Sequence, residues 1–598
     1  MSKSSVNKSK LNSIVSVLDF GAVGDNSTDD YSAFQQAIDN VASAGGGTVQ
    51  CVGGKTYRLT AGPIVKDKVL LDLNGATLRL TLVGTGGYDY GVRVRNYASV
   101  INGTISVESS GTVGSQAGIH AAIDIGPMYG DGGTVASPSA EEGVTGWTLR
   151  NLKLSTNRDG KVAIQVIGGA NNGLIDNIEV PSSSTCAGAV HLDWGFVGNI
   201  SSSDVPTSRA NFNAGTAYTT HPNNIIIRNI KIGSLSRTKS GVDTGSDLVR
   251  LSGVYNVTVQ NINAVQCTYA AVRVTSGDLG FEFALAAVKP LGMLGIRWDN
   301  IAVQNTTDGW LIYCDSLADN VAAAVSGVGY SPLMAPLMET DLVVNQVTGK
   351  GSGGASASPG LYVIQIKGAV YTNINATGYS HGCLVDEQVF NVQIHGRFYA
   401  NRGHGIYIHH GTFKPQDVLV MSGTSCYQNG QDAGFSNPAG ICVEGSVRCR
   451  VDGAQLGHRT AASETTQSYG LFLSTVTKAT DFEAENCHAF SVKAGGTAYL
   501  LLGTLDYGLV RLFRNNSVES AIATKIGGVA IIPINRFMGT DGVDRAHHTA
   551  SRTILTADIT PTAGSWVTGD VIFYSNPPAG KTGTRCETAG SPGTWAQF

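Results

Sequence analysis

Charge is scarce in this sequence. Only 14% of its 598 residues are Asp, Glu, Lys or Arg, against about 25% in ordinary soluble domains. The 41 basic and 45 acidic side chains leave a formal net charge of -4. That excludes the broadly basic surface that binds nucleic acid. Long apolar runs are missing too. The long uncharged stretch at residues 320–338 carries Gly327, Gly329, Pro332 and Pro336, which a lipid-exposed helix disfavours, so no membrane insertion is expected. The first residues, MSKSSVNKSKLNS, are basic but lack a following apolar core. They read as a flexible arm or attachment peptide (residues 1–15) rather than a secretory signal. The ten cysteines include no CxxC pair, and no His/Cys cluster has zinc spacing. Cys267, Cys314 and Cys383 lie in apolar strand patterns as small hydrophobes. The expectation is folding in a reducing cytosol, with no metal and no cofactor.

Glycine, by contrast, is abundant. Its 76 residues accompany 42% hydrophobic content, which suits a large, turn-rich β protein rather than a disordered one. Phe34, Ala37, Ile38 and Val41 recur at helical spacing behind the N-cap candidates Thr28, Asp29 and Asp30. The Asp-rich stretch 25–30 lacks EF-hand spacing and reads as a helix cap rather than a calcium loop. After Gly45-Gly46-Gly47 the pattern switches to period two.

From about residue 69 one unit recurs: a short strand, a Gly or Asn turn, then a strand ending in Asn-Ile or a similar pair. Residues 163–180, 248–265, 361–378, 383–400, 440–457 and 471–488 all show it. Leu361, Leu384 and Ile406 repeat at intervals of 23 and 22 residues. A strand-only repeat of that length predicts a β-solenoid, whose coils bury their apolar faces by stacking and whose ends need covers. The helix near 30–43 is a natural N-terminal cover.

The run VLDFGAVGDNSTDDYSAFQQAID resembles the opening motif of the pectate-lyase-like right-handed parallel β-helix superfamily. It is particularly similar to bacteriophage tailspikes that degrade capsular or exopolysaccharide. The resemblance covers about residues 16–530 and implies an all-β fold. Its parts are an N-terminal cap with a helix (16–68), a right-handed parallel β-helix (69–535) and a small C-terminal β module (536–598). It further implies a homotrimer on a virion tail, made in the host cytoplasm and acting on a bacterial surface polysaccharide. The N-terminal arm would dock to another phage tail protein. The final module, rich in Pro-Pro, Ser-Pro-Gly and Gly-Lys turns, suits trimer locking or carbohydrate contact. Because the superfamily includes hydrolases, lyases and epimerases, fold alone does not select a chemistry.

Aligning coils by inward apolar pairs, such as Val190/Leu192, Val249/Leu251 and Ile364/Ile366, places the intervening residues outside. One outward column then reads Gln165, His191, Arg250, Arg273, Tyr313, Gln365, Tyr407, Cys442. The next reads Ile167, Asp193, Ser252, Thr275, Asp315, Lys367, His409, Glu444. Insertions at 127–143, 194–223, 276–294 and 316–340 leave the coils at one corner, beside these columns, where long loops on a rigid scaffold carry function.

Glycosidic hydrolysis needs an acid for the leaving oxygen and a carboxylate for water or direct attack. Glu282, flanked by Gly280, Phe281, Phe283 and Ala284, suits the acid, because burial raises a carboxyl pKa. Asp193 and Asp278 suit the ionised partner, with Asp247 and Asp315 as further candidates. Some of these carboxylates have the alternative role of pairing with Arg250 or Arg273. Trp194, Trp310 and Tyr313 are candidate sugar platforms, or packing beneath the loops. His191 and His221 can orient a carboxylate or hydroxyl, or bind loop backbone. Arg250 and Arg273 can grip acidic sugars, or line a salt-bridged face. VHLDWGF and THPNNIIIRNI resemble a His-x-Trp-Gly and Thr-His-Pro pattern of depolymerase tailspikes, although two residues separate His191 from Trp194. A second cluster is Asp386, Glu387, His409, His410 and Glu444. Hydrolysis is preferred; β-elimination on uronate units and non-cleaving receptor binding remain open.

Overall fold

The structure is a computed structural model. It describes residues 14–83, 91–110, 121–126, 144–157, 162–184, 186, 188–193, 221–235, 247–275, 294–306, 309–315, 339–354, 358–364, 366–386, 389–409, 416–444, 447–458, 465–473 and 481–501, with short strands and their neighbours beyond. The chain divides into two compact units, Met1–Tyr379 and Ser380–Phe598.

In the first unit, alternation of Val, Ile and Leu dictates strands whose apolar residues point to one interior. The strand Asp247–Ser252 buries Val249 and Leu251 completely. It lies parallel between Gly188–Asp193 and Ala270–Thr275, with Val190, Val249 and Val272 in register. Ile312 of Trp310–Asp315 extends that inward row. Every coil contributes one such short strand to one sheet, from Ile64–Val65 to Leu361–Ile364. A longer strand follows in each coil, including Asn223–Ser234, Tyr255–Cys267 and Arg297–Thr306, and these also stack parallel. The result is a right-handed parallel β-helix, the solenoid that the repeat predicts in the form that the resemblance implies.

The Asn-Ile pairs mark a bend inside the longer strand rather than its end. Asn177, Asn229, Asn261 and Asn300 all adopt positive φ, near 55°. Asparagine tolerates this left-handed conformation better than other side-chain-bearing residues do. The following Ile178, Ile230, Ile262 and Ile301 then turn inward and are buried. The bends stack as a ladder, Asn300 donating to Asn261 at 2.9 Å and Asn261 to Asn229 at 3.1 Å.

The expected helix spans Tyr31–Ser43 and buries Ala33, Phe34, Ala37, Ile38 and Val41. Burial of a large apolar side chain stabilises by about 1.5–3 kcal/mol. Asp30 is its N-cap residue, yet its carboxylate bonds no helical N–H. It accepts instead from Val23 at 2.7 Å and Gly24 at 3.0 Å, fixing the preceding turn.

The second unit repeats the arrangement in its own strands. Cys383–Val385, Ile406–Ile408, Ala439–Val443 and Tyr469–Leu473 pair parallel in order. Near its end lies a separate four-stranded sheet, Ile554–Ala557, Val571–Tyr574, Gly583–Thr588 and Thr594–Gln597. Its first pair is parallel and the others antiparallel. All ten cysteines are buried. Among the described residues no helix is long and apolar enough to cross a membrane.

Candidate functional site

The outer face of the short-strand sheet in the first unit carries the chemistry. Register places Gln165, His191, Arg250, Arg273 and Tyr313 in one row, matching the sequence alignment. The row continues into Arg93 and Asp124 on the preceding side. On the other side the alignment needs correction. Tyr362, not Gln365, stands opposite Tyr313, and Ile364, not Lys367, opposite Asp315. The run Leu361, Val363, Ile364, Ile366 offers two inward frames, and the fold uses Leu361 and Val363, both fully buried. The neighbouring row reads Ile167, Asp193, Ser252, Thr275 and Asp315.

Asp193 is the best-anchored group on this face. Arg250 Nη2 lies 2.9 Å from each of its carboxylate oxygens, and Gln165 Nε2 donates to Oδ2 at 2.7 Å. Burial by itself would raise this carboxyl, but the charges of Arg250 and His191 and the hydrogen bonds outweigh it. They hold it below the usual carboxylate range. The Arg250 guanidinium is correspondingly raised despite its own burial, by Asp193 and Asp247. His191 is 6% exposed. Gly188 makes room for it, since a Cβ there would lie 2.2 Å from His191 Nε2 and 2.7 Å from the Asp247 carbonyl.

Asp247 and Arg273 form a second pair on this face. Arg273 Nη1 meets Asp247 Oδ2 at 3.2 Å, with the Asp247 side chain only 5% exposed. The same guanidinium lies 4.9 Å from the Tyr269 ring centroid and 5.7 Å from that of Tyr313, within cation–π range. Trp310 joins the aromatic shelf, edge-on to Tyr269 at 4.9 Å and Tyr313 at 5.0 Å and stacked on Tyr362 at 6.2 Å. Its indole Nε1 is buried without a hydrogen-bond partner among the described residues. His221 is fully buried, edge-on to Tyr255 at 5.4 Å.

The structure therefore brings together Asp193, His191, Arg250, Asp247, Arg273, Trp310 and Tyr313 on one face and places His221 in the interior. Trp194, Asp278 and Glu282 lie outside the described residues, as does the side chain of Asp315. Tyr269 and Tyr362 were missed by sequence reasoning; Tyr269 sits just before a strand, where period-two reasoning gives no signal. The four insertions follow Ala121–Ile125, Gly188–Asp193, Ala270–Thr275 and Trp310–Asp315, all strands of this one sheet. In the second unit Asp386, His409 and Glu444 come together, while Glu387 and His410 lie outside the described residues. Among the described residues no cluster of His, Cys, Asp or Glu has the arrangement of a metal site.

No protein-family profile and no curated protein matches the sequence. Solved structures do resemble it. The tailspike of E. coli bacteriophage HK620, solved with a pentasaccharide, is 13% identical at a TM-score of 0.41, over 86% of this chain and 78% of that one. The A-module of Azotobacter vinelandii mannuronan C-5 epimerase AlgE6 is 14% identical at 0.40, over 86% and 99%. The Streptococcus pneumoniae surface adhesin PfbA is 12% identical at 0.36, over 98% and 100%.

Proposed function

We propose that the protein is a phage tailspike that binds and depolymerises a bacterial surface polysaccharide by glycosidic hydrolysis. The observation that carries this reading is the outer face of the first unit. There an ionised, hydrogen-bonded Asp193 stands beside paired arginines and a four-ring aromatic shelf, next to the corner from which four long insertions leave. Aromatic faces stack on sugar rings, and the guanidiniums and carboxylates address their hydroxyls and acidic substituents. Asp193, held in the charged form, suits activation of water. Three hydrogen bonds from two donor nitrogens occupy its oxygens, which leaves acceptor capacity for one more. Glu282 supplies the acid in this reading, with Asp278 an alternative to Asp193. The spike works as a homotrimer on the virion tail.

A second reading, β-elimination from a uronate polymer, is favoured by Arg273. A guanidinium fixed by Asp247 and set beside Tyr313 is suited to neutralise a uronate carboxylate, with Tyr313 or His191 handling the α-proton. Mixing the protein with a panel of purified capsular polysaccharides separates the two. Shortening without ultraviolet absorbance from unsaturated sugar, abolished by Asp193→Asn and Glu282→Gln, supports hydrolysis. Shortening with that absorbance moves the chemistry to Arg273 and Tyr313. Binding without shortening leaves a receptor-binding spike.

A further inference from the structure

The corner that precedes each long strand of the first unit repeats one backbone demand. Parallel register sets Tyr97, Gly146, Asn172, Asn224, Asn256 and Gly295 one after another in successive coils. All six have left-handed φ, between 51° and 70°. Glycine adopts that conformation freely and asparagine tolerates it. A bulky side chain at such a φ is strained, and strain of this kind gathers at ligand-binding positions. Lys68 precedes Tyr97 in the column, at φ 63°, so Tyr97 is the one aromatic among these seven positions.

Packing does not explain the tyrosine, because Tyr97 is 59% exposed. Its backbone N–H donates to the Thr145 carbonyl at 2.8 Å, a bond that glycine or asparagine makes equally well. The ring lies across Gly146, where a Cβ would stand 2.5 Å from Tyr97 Cδ1 and 2.8 Å from Cε1. Asn172, exposed in the next coil, donates from Nδ2 to Thr145 Oγ1 at 3.2 Å and to Asn171 Oδ1 at 2.7 Å. With both amide hydrogens committed, its side-chain oxygen is the group it offers a ligand. Tyr97 follows the short strand Val92–Val94, whose Arg93 belongs to the outward row of the site. Asp193 lies three strands further along that sheet, and Tyr313 three strands beyond Asp193. At the ordinary strand spacing each step of three is about 14 Å along the solenoid.

We propose that Tyr97 and Asn172 form a distal saccharide subsite, which grips the polymer a few sugar units from Asp193 on the side opposite the Tyr313 shelf. The proposal rests on the polysaccharide reading above. The exposed Tyr97 ring gives a pyranose an apolar face with a hydroxyl at its edge, and the Asn172 oxygen accepts a sugar hydroxyl. Aromatic groups then stand on both sides of Asp193, so a chain lying along the solenoid is held at two separated points. A contact so far from Asp193 strengthens binding only of chains long enough to reach both.

The test compares Tyr97→Asn and Tyr97→Phe in the full chain, with Asp193→Asn as the common background so that the polymer survives the measurement. The probes are whichever purified capsular polysaccharide that background binds best and short oligosaccharides made from it by partial acid hydrolysis. Tyr97→Asn installs a residue that three following coils use at this corner. Its thermal midpoint is expected to match or exceed that of the background, while polymer binding weakens about tenfold. Tyr97→Phe keeps the ring and is expected to keep most of the binding. Oligosaccharides too short to span from Asp193 to Tyr97 are expected to bind all three proteins alike. Unchanged polymer binding by Tyr97→Asn overturns the proposal, as does an equal loss for short and long chains. A lowered midpoint would assign the ring to the fold and overturn it too. Binding of no polysaccharide by the background protein removes the polysaccharide reading itself and the subsite with it, an outcome distinct from failure of the subsite alone.

Discussion

Asp193 illustrates how one residue is committed by its neighbours. Its carboxylate is one-fifth exposed and Arg250 about one-quarter, so neither charge is fully solvated and each depends on the other. Removing the charge with Asp193→Asn leaves the guanidinium without its main partner, at a cost of about 1–3 kcal/mol. Urea unfolding is expected to show that loss, and adding Arg250→Met to recover part of it, because the two changes remove one shared interaction. A single variant as stable as the parent would mean that the pair contributes nothing. At this scale the sequence was legible where alternation is strict: period two placed His191, Arg250, Arg273 and Tyr313 in one row. It did not show which cation reaches which carboxylate, because that depends on rotamers rather than on spacing. Nor did it find Tyr362, since an apolar run with two inward frames leaves the outward residue undetermined.

Elements are held by what repeats along them, and the asparagine bend is the clearest case. Asn261 donates to Asn229, accepts from Asn300 and sits at φ 56°. Asn261→Gly keeps the backbone conformation and loses the two ladder bonds, whereas Asn261→Ala loses the bonds and adds left-handed strain. Alanine is therefore expected to destabilise by about 1 kcal/mol more than glycine, read as the difference in denaturation midpoint. The Asn-Ile repeat was visible in the sequence, but it read as a strand end because local pattern cannot distinguish a bend from a stop.

The strands around the buried histidines respond to pH in a definite direction. Burial and the charge of His409 lower His381 from its ordinary 6.5 to about 4, and His404 is likewise depressed. Between those limits the unfolded chain binds protons that the folded one refuses, so stability falls as pH drops from about 6.5 to about 4. Amides in Ile406–Ile408 and Ala439–Val443 are expected to lose hydrogen-exchange protection across that range. His381→Asn with His404→Asn keeps an acceptor near each Nδ1 position but cannot be protonated, and is expected to flatten the dependence. An unchanged slope would assign the acid sensitivity elsewhere.

At the scale of the whole molecule, a solenoid separates scaffold from function, because each coil is stabilised by its neighbours and an insertion at a corner adds length without altering the stack. Two successive coils show this directly. Ser252 pairs with Thr275, and Tyr255 bridges to Leu294. The first coil turns this corner with Gly253-Val254 alone, while the next uses residues 276–293. Replacing 276–293 by Gly-Val is therefore expected to restore an uninterrupted corner, leaving circular dichroism and the unfolding midpoint close to those of the parent. The replacement also removes Asp278 and Glu282, the candidate partner and acid for glycosidic cleavage. If hydrolysis is the chemistry, polymer shortening should disappear while binding to the aromatic shelf survives in weakened form. Undiminished shortening would exclude both residues and return the reaction to groups fixed on the strands, where Arg273 and Tyr313 share the sheet face with Asp193. A variant that fails to fold would show that this insertion supports the stack, contrary to the register on both sides of it.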